Sequence, residues 1–295
     1  MKRLLFIATA AACILAVSCK QEQIPSLTAS GQEEIVFTAS DSMTAEVSTK
    51  TPAVTTLESM GFNASATTGS SSETELWNNA SFSYHSGLFT GDKYWPVEDN
   101  GIHFYASNSD ITFNAGGCSV NGVSGKSRDV VCAYIASPLW NQPNELTFEH
   151  IFARLGNVTV TPPSGYTATS VNISFTPYIS GNYNIKTKEW SNKETDSVSP
   201  LKTIASASGS NSGNDIWLVP GSYILTANYT LQKGSGGGAY SESFTKTAEV
   251  VLQAGKINSI QTTLPDGNAT NISFSVTVTP WSNNNITAVF TTPEP

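Results

Sequence analysis

The side chains most often used in catalysis are few in this sequence and lack catalytic spacing. Its three histidines are His85, His103 and His150. None stands in the short His-x-x-His or Cys-x-x-Cys arrangements from which zinc sites are usually built. The segment Gly122-Val-Ser-Gly125 lacks the second spacer residue of a serine nucleophile elbow, and no helical pattern follows it. The sequence therefore predicts no catalytic residue, no metal site and no cofactor, and the protein is not expected to be an enzyme.

Cysteine chemistry near the start of the chain gives a clearer signal. Met1-Lys2-Arg3 carries two positive charges, and the chain is then apolar or small almost throughout to Val17, before Cys19 and a polar stretch. A charged start, a short apolar core and small residues at the end are typical of a secretory signal. An apolar run of about 14 residues is too short to span a bilayer, which takes about 20. We predict a signal peptide over residues 1–18 and a flexible leash over residues 19–33.

The end of this signal carries a recognisable motif. Ala16-Val-Ser-Cys19 resembles the lipobox of bacterial lipoproteins, with Leu15 one place further from the cysteine than usual. The resemblance implies cleavage before Cys19 and acylation of its thiol and new amino group. Each buried acyl methylene contributes about 0.8 kcal/mol, so two or three chains hold a protein stably on a membrane. The alternative is an ordinary secreted protein with an incidental cysteine.

Cys118 and Cys132 would be the remaining cysteines of the exported chain. They flank a turn-rich segment, residues 121–128, that lies between two strand-like runs. A hairpin there would place the two thiols opposite each other, and an exported compartment permits oxidation. Closing a loop of about 15 residues would stabilise the fold by roughly 3 kcal/mol. We predict a disulfide between them, with two buried free thiols as the alternative.

The net charge and the low content of charged residues exclude some classes of binding partner. Loss of Lys2 and Arg3 with the signal would change the formal net charge from −8 to −10. An acidic surface argues against nucleic acid and anionic lipid as partners. Charged residues make up 13 % of the chain, about half the usual quarter. Ser, Thr and Asn take their place, which suits strands and loops outside the cell. The mature length favours two domains.

Short apolar runs with period two recur along the whole chain, as in half-buried strands. Those we predict to be strands include residues 34–39, 81–84, 103–107, 129–136, 170–175, 216–219, 223–231, 248–252, 257–264 and 272–278. No stretch has a helical period over three turns, so we predict an all-β fold of antiparallel sandwiches. A long run over 146–160 precedes Thr161-Pro-Pro-Ser-Gly165 and could close one domain or open the next. We place the domains at residues 34–147 and 148–295.

Several phrases taken together resemble the fimbrillin family of Bacteroidetes, whose pilins are lipoproteins. In chain order they are Lys93-Tyr-Trp-Pro96, Phe104-Tyr-Ala-Ser107, residues 129–137, residues 146–155, residues 223–231, residues 250–256 and residues 274–281. The resemblance covers nearly the whole mature chain. It implies two transthyretin-like β-sandwich domains in tandem and a role as a fimbrial subunit that supports adhesion.

The resemblance also implies a route of assembly. Such subunits reach the cell surface as outer membrane lipoproteins, where a trypsin-like protease removes the N-terminal strand and a neighbouring subunit supplies a replacement. A missing strand leaves unpaired backbone groups and an apolar groove, and a donor strand satisfies both. In this chain the removed strand would be Glu34, Ile35, Val36, Phe37, Thr38 and Ala39.

The cleavage site of this chain departs from the family pattern, whereas a candidate donor strand matches it. The cleavage site usually follows an arginine, but no arginine lies between residues 4 and 127, and the matching place is Lys50, with Pro52 two residues on. If Lys50 is not cut, the protein would be an anchor subunit or a retained lipoprotein. Near the C-terminus Ile286, Ala288 and Phe290 form a candidate donor strand, which could instead complete a sheet.

Tryptophans raise a second functional hypothesis. Trp77, Trp95, Trp140, Trp190, Trp217 and Trp281 are spread along the chain. If they were exposed in a row they would form stacking platforms for sugars, and the protein would be a surface glycan-binding lipoprotein. If they were buried they would fill sandwich cores, as in a pilin. The expected partners are other fimbrial subunits, the membrane through the lipid anchor, and a host or bacterial surface ligand.

Overall fold

The computed structural model describes residues 32–41, 61–69, 72–97, 101–125, 129–195, 202–206, 209–211, 216–234, 240–266 and 271–280. Every regular element in these ranges is a strand. The strands are β1 (Glu34–Asp41), β2 (Phe62–Thr68), β3 (Thr74–His85), β4 (Leu88–Tyr94), β5 (Ile102–Asn108), β6 (Ser119–Ser124), β7 (Val131–Ile135), β8 (Asn144–His150), β9 (Ala153–Thr161), β10 (Thr167–Ser174), β11 (Tyr178–Asn184), β12 (Glu189–Thr195), β13 (Lys202–Ser206), β14 (Gly209–Asn211), β15 (Ile216–Leu218), β16 (Gly221–Lys233), β17 (Tyr240–Leu252), β18 (Lys256–Thr263) and β19 (Phe274–Pro280).

Seven strands of the first half form one closed sheet. Their order is β1-β4-β3-β2-β5-β7-β8, and β8 pairs back to β1. All pairings in it are antiparallel except β1 with β8, which is parallel. Successive residues of a strand face opposite sides, so alternate side chains point inward. They form the aromatic core, which includes Phe37, Phe62, Phe82, Phe89, Trp95, Phe104 and Phe148.

The second half is a sandwich of two sheets. One has the order β13-β10-β16-β17, and the other has the order β14-β9-β18-β19 with β15 also paired to β9. The inner faces of both sheets contribute to one apolar core, to which β9, β10, β16 and β18 supply Leu155, Val171, Leu225 and Ile260. The longest ladder joins β16 and β17, from Gly221 opposite Leu252 to Lys233 opposite Tyr240.

A third sheet joins the two halves. Its order is β12-β11-β6, so a strand of the first half pairs with a hairpin of the second. Behind this sheet lies the junction core, which includes Tyr105 and Val120 from the first half and Tyr183 and Val219 from the second. The halves are therefore joined by shared hydrogen bonds and by shared apolar packing.

The structure confirms the all-β prediction. The run over residues 146–160, which reads as one strand, is two: β8 ends at His150 in the closed sheet and β9 begins at Ala153 in the sandwich. Between them Ile151 and Phe152 are 2 % and 0 % exposed.

The boundary placed between residues 147 and 148 falls inside β8, and both it and the tandem transthyretin-like arrangement stay predictions. Over the described ranges there is no helix of the length and hydropathy needed to cross a bilayer.

Candidate functional site

The first strand is held on both sides. β1 pairs antiparallel with β4, with Phe37 opposite Phe89, and parallel with β8, with Phe37 opposite Asn144. The predicted strand over Glu34–Ala39 is therefore present as β1. Strand pairing on two sides satisfies backbone donors and acceptors on both edges, which a buried strand requires.

Side chains of β1 enter the aromatic core at alternate positions. Ile35 and Phe37 are 1 % and 0 % exposed and belong to that core. The Phe37 ring centroid lies 5.0 Å from those of both Phe82 and Phe104, and its contacts with both rings are edge-to-face. Edge-to-face pairs add about 0.5–1.5 kcal/mol to the burial of the rings. Phe37 is thus the central plug of the closed sheet.

Both ends of β1 carry further hydrogen bonds. At the start, the backbone N–H of Trp95 donates to the carbonyl of Glu33 at 3.0 Å, and Gln32 Nε2 donates to the carbonyl of Trp95 at 3.0 Å. Near the end, the hydroxyl oxygens of Ser40 and Thr147 lie 3.4 Å apart. These contacts fix the register of β1 against both neighbouring strands.

We define the β1 seat as the facing edges of β4 and β8 together with Phe62, Phe82 and Phe104. Phe62 completes it, with its ring centroid 6.0 Å from that of Phe37. Asn144 shapes the β8 edge, because its Oδ1 accepts from the N–H of Leu139 at 2.6 Å and its Nδ2 donates to the carbonyl of Leu139 at 2.9 Å. Without a strand, the seat would present a row of unpaired backbone groups above an apolar floor.

A second polar cluster ties the β11–β12 hairpin to the first half. Tyr105 and Thr67 donate to Glu73 Oε2 at 2.5 and 2.7 Å, and Lys186 Nζ donates to Glu73 Oε1. Burial alone would raise the pKa of the Glu73 carboxyl, but the hydrogen bonds from Lys186, Tyr105 and Thr67 outweigh it and lower that pKa from 4.5 to about 2. We call this cluster the Glu73 latch.

A neighbouring ion pair reinforces the latch. Lys188 Nζ lies 2.5 Å from Glu149 Oε2, so the same hairpin turn also contacts β8. Both side chains are exposed at this contact, so the pair contributes little on its own. No sequence signal indicates the latch, because its members come from a loop, two strands and a turn far apart in the chain.

Several sequence-predicted site residues lie outside the described ranges. They are the acylation candidate Cys19, the cleavage candidate Lys50 and the donor candidates Ile286, Ala288 and Phe290. For these positions the sequence expectations stand as predictions.

The two later cysteines do not form the expected hairpin. Cys118 directly precedes β6, which pairs with β11, whereas Cys132 lies in β7, which pairs with β5 and β8. Strands β6 and β7 thus belong to different sheets, and the predicted strand pairing between them was wrong. In the structure both thiols are free, with Cys118 half-buried and Cys132 buried, whereas the alternative left open above had both thiols buried.

Two of the three histidines contact a polar side chain, and the third is exposed. His103 Nδ1 and the Tyr134 hydroxyl lie 3.0 Å apart, His150 Nδ1 lies 2.5 Å from Asp129 Oδ2, and His85 is exposed. Among the described residues no group of three or more His, Cys, Asp or Glu side chains is placed to hold a metal ion.

The described tryptophans pack against cores. Trp95 is 2 % exposed and contacts Trp140 at 5.0 Å between centroids, while Trp77 packs against the aromatic core. Trp190 and Trp217 are half-buried against the junction core. Trp281 lies outside the described ranges. The described tryptophans thus form no exposed row, which removes the observation that would have favoured stacking platforms.

β4, one side of the β1 seat, was not predicted from the sequence, although the turn before it is a recognisable hairpin signal. β4 follows β3 through the two-residue turn Ser86-Gly87, whose φ angles are 51° and 94°. Two positive φ values are the mark of the hairpin turn that matches strand twist, and Ser-Gly is a frequent turn dipeptide. Reading it as a hairpin would have predicted β4 and the edge on which β1 lies.

Comparisons with solved structures find distant similarities. A candidate cell adhesion protein from Bacteroides ovatus ATCC 8483 has 12 % identity and a TM-score of 0.38, with 76 % of this chain and 88 % of that chain covered. A similar protein from Bacteroides thetaiotaomicron VPI-5482 has 14 % identity and a TM-score of 0.34, with 81 % and 96 % covered. A fimbrial assembly protein from Parabacteroides distasonis ATCC 8503 has 11 % identity and a TM-score of 0.28, with 74 % and 90 % covered.

Sequence comparison is more decisive. No curated protein matches the chain significantly. A family model described as fimbrillin-like matches residues 49–281, so β1 precedes the matched region. The match covers well over half of the sequence and confirms the resemblance noted from its motifs. The chain belongs to the fimbrillin-like family.

Proposed function

We propose that the protein is a structural subunit of a cell-surface fimbrium, assembled by strand exchange at the β1 seat. The observation that carries the proposal is the position of β1 in a fimbrillin-like chain. It is the first strand in the described part of the chain, it is paired on both sides, and it fills the aromatic core with Phe37. A strand with these properties can be replaced only by another strand that offers backbone pairing and an apolar side chain at the same place.

Maturation and anchoring follow from the sequence. Acylation at Cys19 would hold the chain on the outer membrane, and the leash would carry β1 away from the lipid. Cleavage after Lys50, between β1 and β2, would release β1 together with the anchor. Ile286, Ala288 and Phe290 would then supply the alternating apolar side chains for the seat of the next subunit. The partners are other fimbrial subunits, and no enzymatic step by this chain is required.

Limited digestion with trypsin tests the proposal. The non-lipidated chain from Lys20 is digested and analysed by intact mass and size-exclusion chromatography, with Lys50→Gln as the matched uncut control. We expect a product that begins at Thr51, loses β1 and forms oligomers, while Lys50→Gln stays monomeric. A synthetic peptide of residues 32–41 should block the oligomers, and the same peptide with Phe37→Ala should not.

A chain expressed from Thr51 separates maturation from assembly. If trypsin leaves Lys50 intact but this shortened chain oligomerises through the seat, the protein is an anchor or retained subunit that keeps its first strand. If the shortened chain is folded and monomeric, strand exchange at the β1 seat is wrong.

A further inference from the structure

An open cleft of about 570 Å³ lies on the sheet that joins the two halves. It is lined by residues of β6, β11 and β12, by the loop before β6 and by Pro220 between β15 and β16, and no residue of β1 contributes to it. Its volume is within the usual range of small-molecule sites, about 300–1,000 Å³. A ligand of the cleft would therefore be independent of strand exchange at the β1 seat.

Strand alternation makes the cleft polar. Tyr183 of β11 and Ile185, directly after the strand, are buried in the junction core, whereas Asn182 and Asn184 line the cleft. Glu189 of β12 is paired with Asn184 in the ladder and lines the cleft beside it. The apolar face of this sheet is thus used for joining the halves, and the face that remains is covered with amides.

Three of these amides are fixed in orientation. Asn182 Oδ1 accepts from the N–H of Gly122 at 3.0 Å, Asn114 Oδ1 accepts from the N–H of Ser119 at 3.2 Å, and Asn184 Oδ1 accepts from the N–H of Lys186 at 3.0 Å. A backbone N–H requires an acceptor, which settles the placement of oxygen and nitrogen in each amide. Within the described residues, none of the three Nδ2 groups donates a hydrogen bond. These three Nδ2 groups are therefore oriented donors that could bond to a ligand acceptor.

Other groups in the cleft complement these donors. Glu189 is exposed and, in the described part of the chain, its carboxylate has no hydrogen-bond or ion-pair partner. Trp190 also lines the cleft, but its ring packs on the junction-core side of the sheet, 5.0 Å from the rings of Phe152 and Tyr183. Lys193 also lines the cleft and carries a positive charge, with its Nζ 5.0 Å from the centroid of the Tyr178 ring, so the lining has no large excess of either sign.

We infer that this cleft is a binding site for a neutral saccharide. A sugar hydroxyl accepts a hydrogen bond from an amide and donates one to a carboxylate, so adjacent hydroxyls match the Asn184 and Glu189 pair. A phosphate would need concentrated positive charge and an acyl chain would need an apolar lining, and the cleft has neither. The inference goes beyond the fimbrial role, because it assigns the subunit a ligand of its own.

The test uses six neutral methyl glycosides with the unlipidated chain from Lys20. The probes are methyl galactoside, glucoside, mannoside, fucoside, N-acetylglucosaminide and N-acetylgalactosaminide, observed by saturation-transfer NMR and titrated by calorimetry. Asn182→Asp and Asn184→Asp keep the oxygen that accepts from the backbone and remove the free donor. We expect at least one glycoside to bind, and each variant to weaken that binding by about tenfold, the effect of one lost hydrogen bond beside an added charge.

Asn108→Asp is the matched control. Asn108 Oδ1 also accepts from a backbone N–H, that of Val131 at 2.8 Å, but Asn108 does not line the cleft. This variant should bind as the unaltered chain does, and thermal melting of all three variants should show that they are folded. The inference is overturned if no glycoside binds at 10 mM, or if folded Asn182→Asp and Asn184→Asp bind with unaltered affinity.

Discussion

At the scale of single residues, the closed sheet depends on Phe37. It is fully buried, and three phenylalanine rings from three other strands surround it. A ring in this position contributes both its transfer from water and its packing against rigid neighbours. Its removal leaves a cavity that β-strand backbones are poorly able to close.

Replacing Phe37 by alanine should therefore destabilise the protein by about 3–5 kcal/mol, the usual effect of deleting a buried aromatic ring. Guanidinium-induced unfolding followed by fluorescence measures the change. Val251→Ala is the control, since Val251 is 56 % exposed and such surface changes usually stay within about 0.5 kcal/mol. Equal effects of the two substitutions would show that β1 does not plug the core.

Cys132 should be chemically inert in the folded protein. Burial raises the pKa of its thiol to about 12, so the reactive thiolate is scarce at pH 8. Iodoacetamide should leave Cys132 unlabelled under native conditions. After denaturation without reductant, both Cys118 and Cys132 should be labelled, as mass spectrometry can show. Labelling of neither until a reductant is added would instead demonstrate a disulfide.

At the scale of elements, the β11–β12 hairpin is held to the first half by the Glu73 latch. The pKa of Glu73 is lower in the folded state than in the unfolded state, so acid favours unfolding. The stability from this carboxylate is fully present above pH 4.5 and is lost as the pH falls towards 2. The hairpin should therefore loosen in acid before the cores do.

Glu73→Gln tests this dependence. At pH 7 it should lower the free energy of unfolding by about 1–2 kcal/mol, because the buried Tyr105 hydroxyl and the more exposed Lys186 ammonium both lose a charged acceptor. The difference from the unaltered protein should narrow as the pH falls below 4.5. Urea unfolding between pH 7 and pH 3 measures it, with Glu145→Gln on exposed β8 surface as the control. A difference that does not change with pH would contradict the latch.

The sequence predicted some elements better than others, for physical reasons. Strands with alternating apolar residues, such as β16 and β18, were recognised because one of their faces is buried in a core. β12 was missed because Trp190 is its only large apolar side chain. The pairing of β6 was wrong because nothing local to residues 118–132 encodes a partner at β11, some sixty residues later.

The candidate sites show the same division. Alternation within residues 34–39 was enough to predict β1, but its neighbours β4 and β8 come from distant parts of the chain and only the fold brings them together. The cleft amides could not be predicted, because their free donors arise from backbone contacts made after folding. Asparagine content alone does not distinguish a binding face from ordinary loops.

At the scale of the whole molecule, the two halves depend on each other. β6 lies in the first half but pairs only with β11 among the described strands, and the junction core takes side chains from both halves. Chains 32–151 and 152–295, which divide the protein between β8 and β9, should be poorly folded or aggregated when expressed separately, because each exposes part of that core. Expressed together they should associate, as copurification and size-exclusion chromatography can test. Two separately folded monomers that do not associate would show independent domains.

The parallel pairing of β1 with β8 has a consequence for the time course of folding. Its two partners, Phe37 and Asn144, are more than a hundred positions apart, and contacts of such separation form late because the intervening chain must first be ordered. Hairpins such as β3–β4 close locally and early. During synthesis and export, before the closed sheet is complete, the chain's own β1 and strands of neighbouring chains therefore compete for the β1 seat. Pairing of β1 with its own seat is intramolecular and does not depend on protein concentration, whereas pairing with a strand of another chain does. The local concentration of newly exported chains therefore determines which strand fills the seat first.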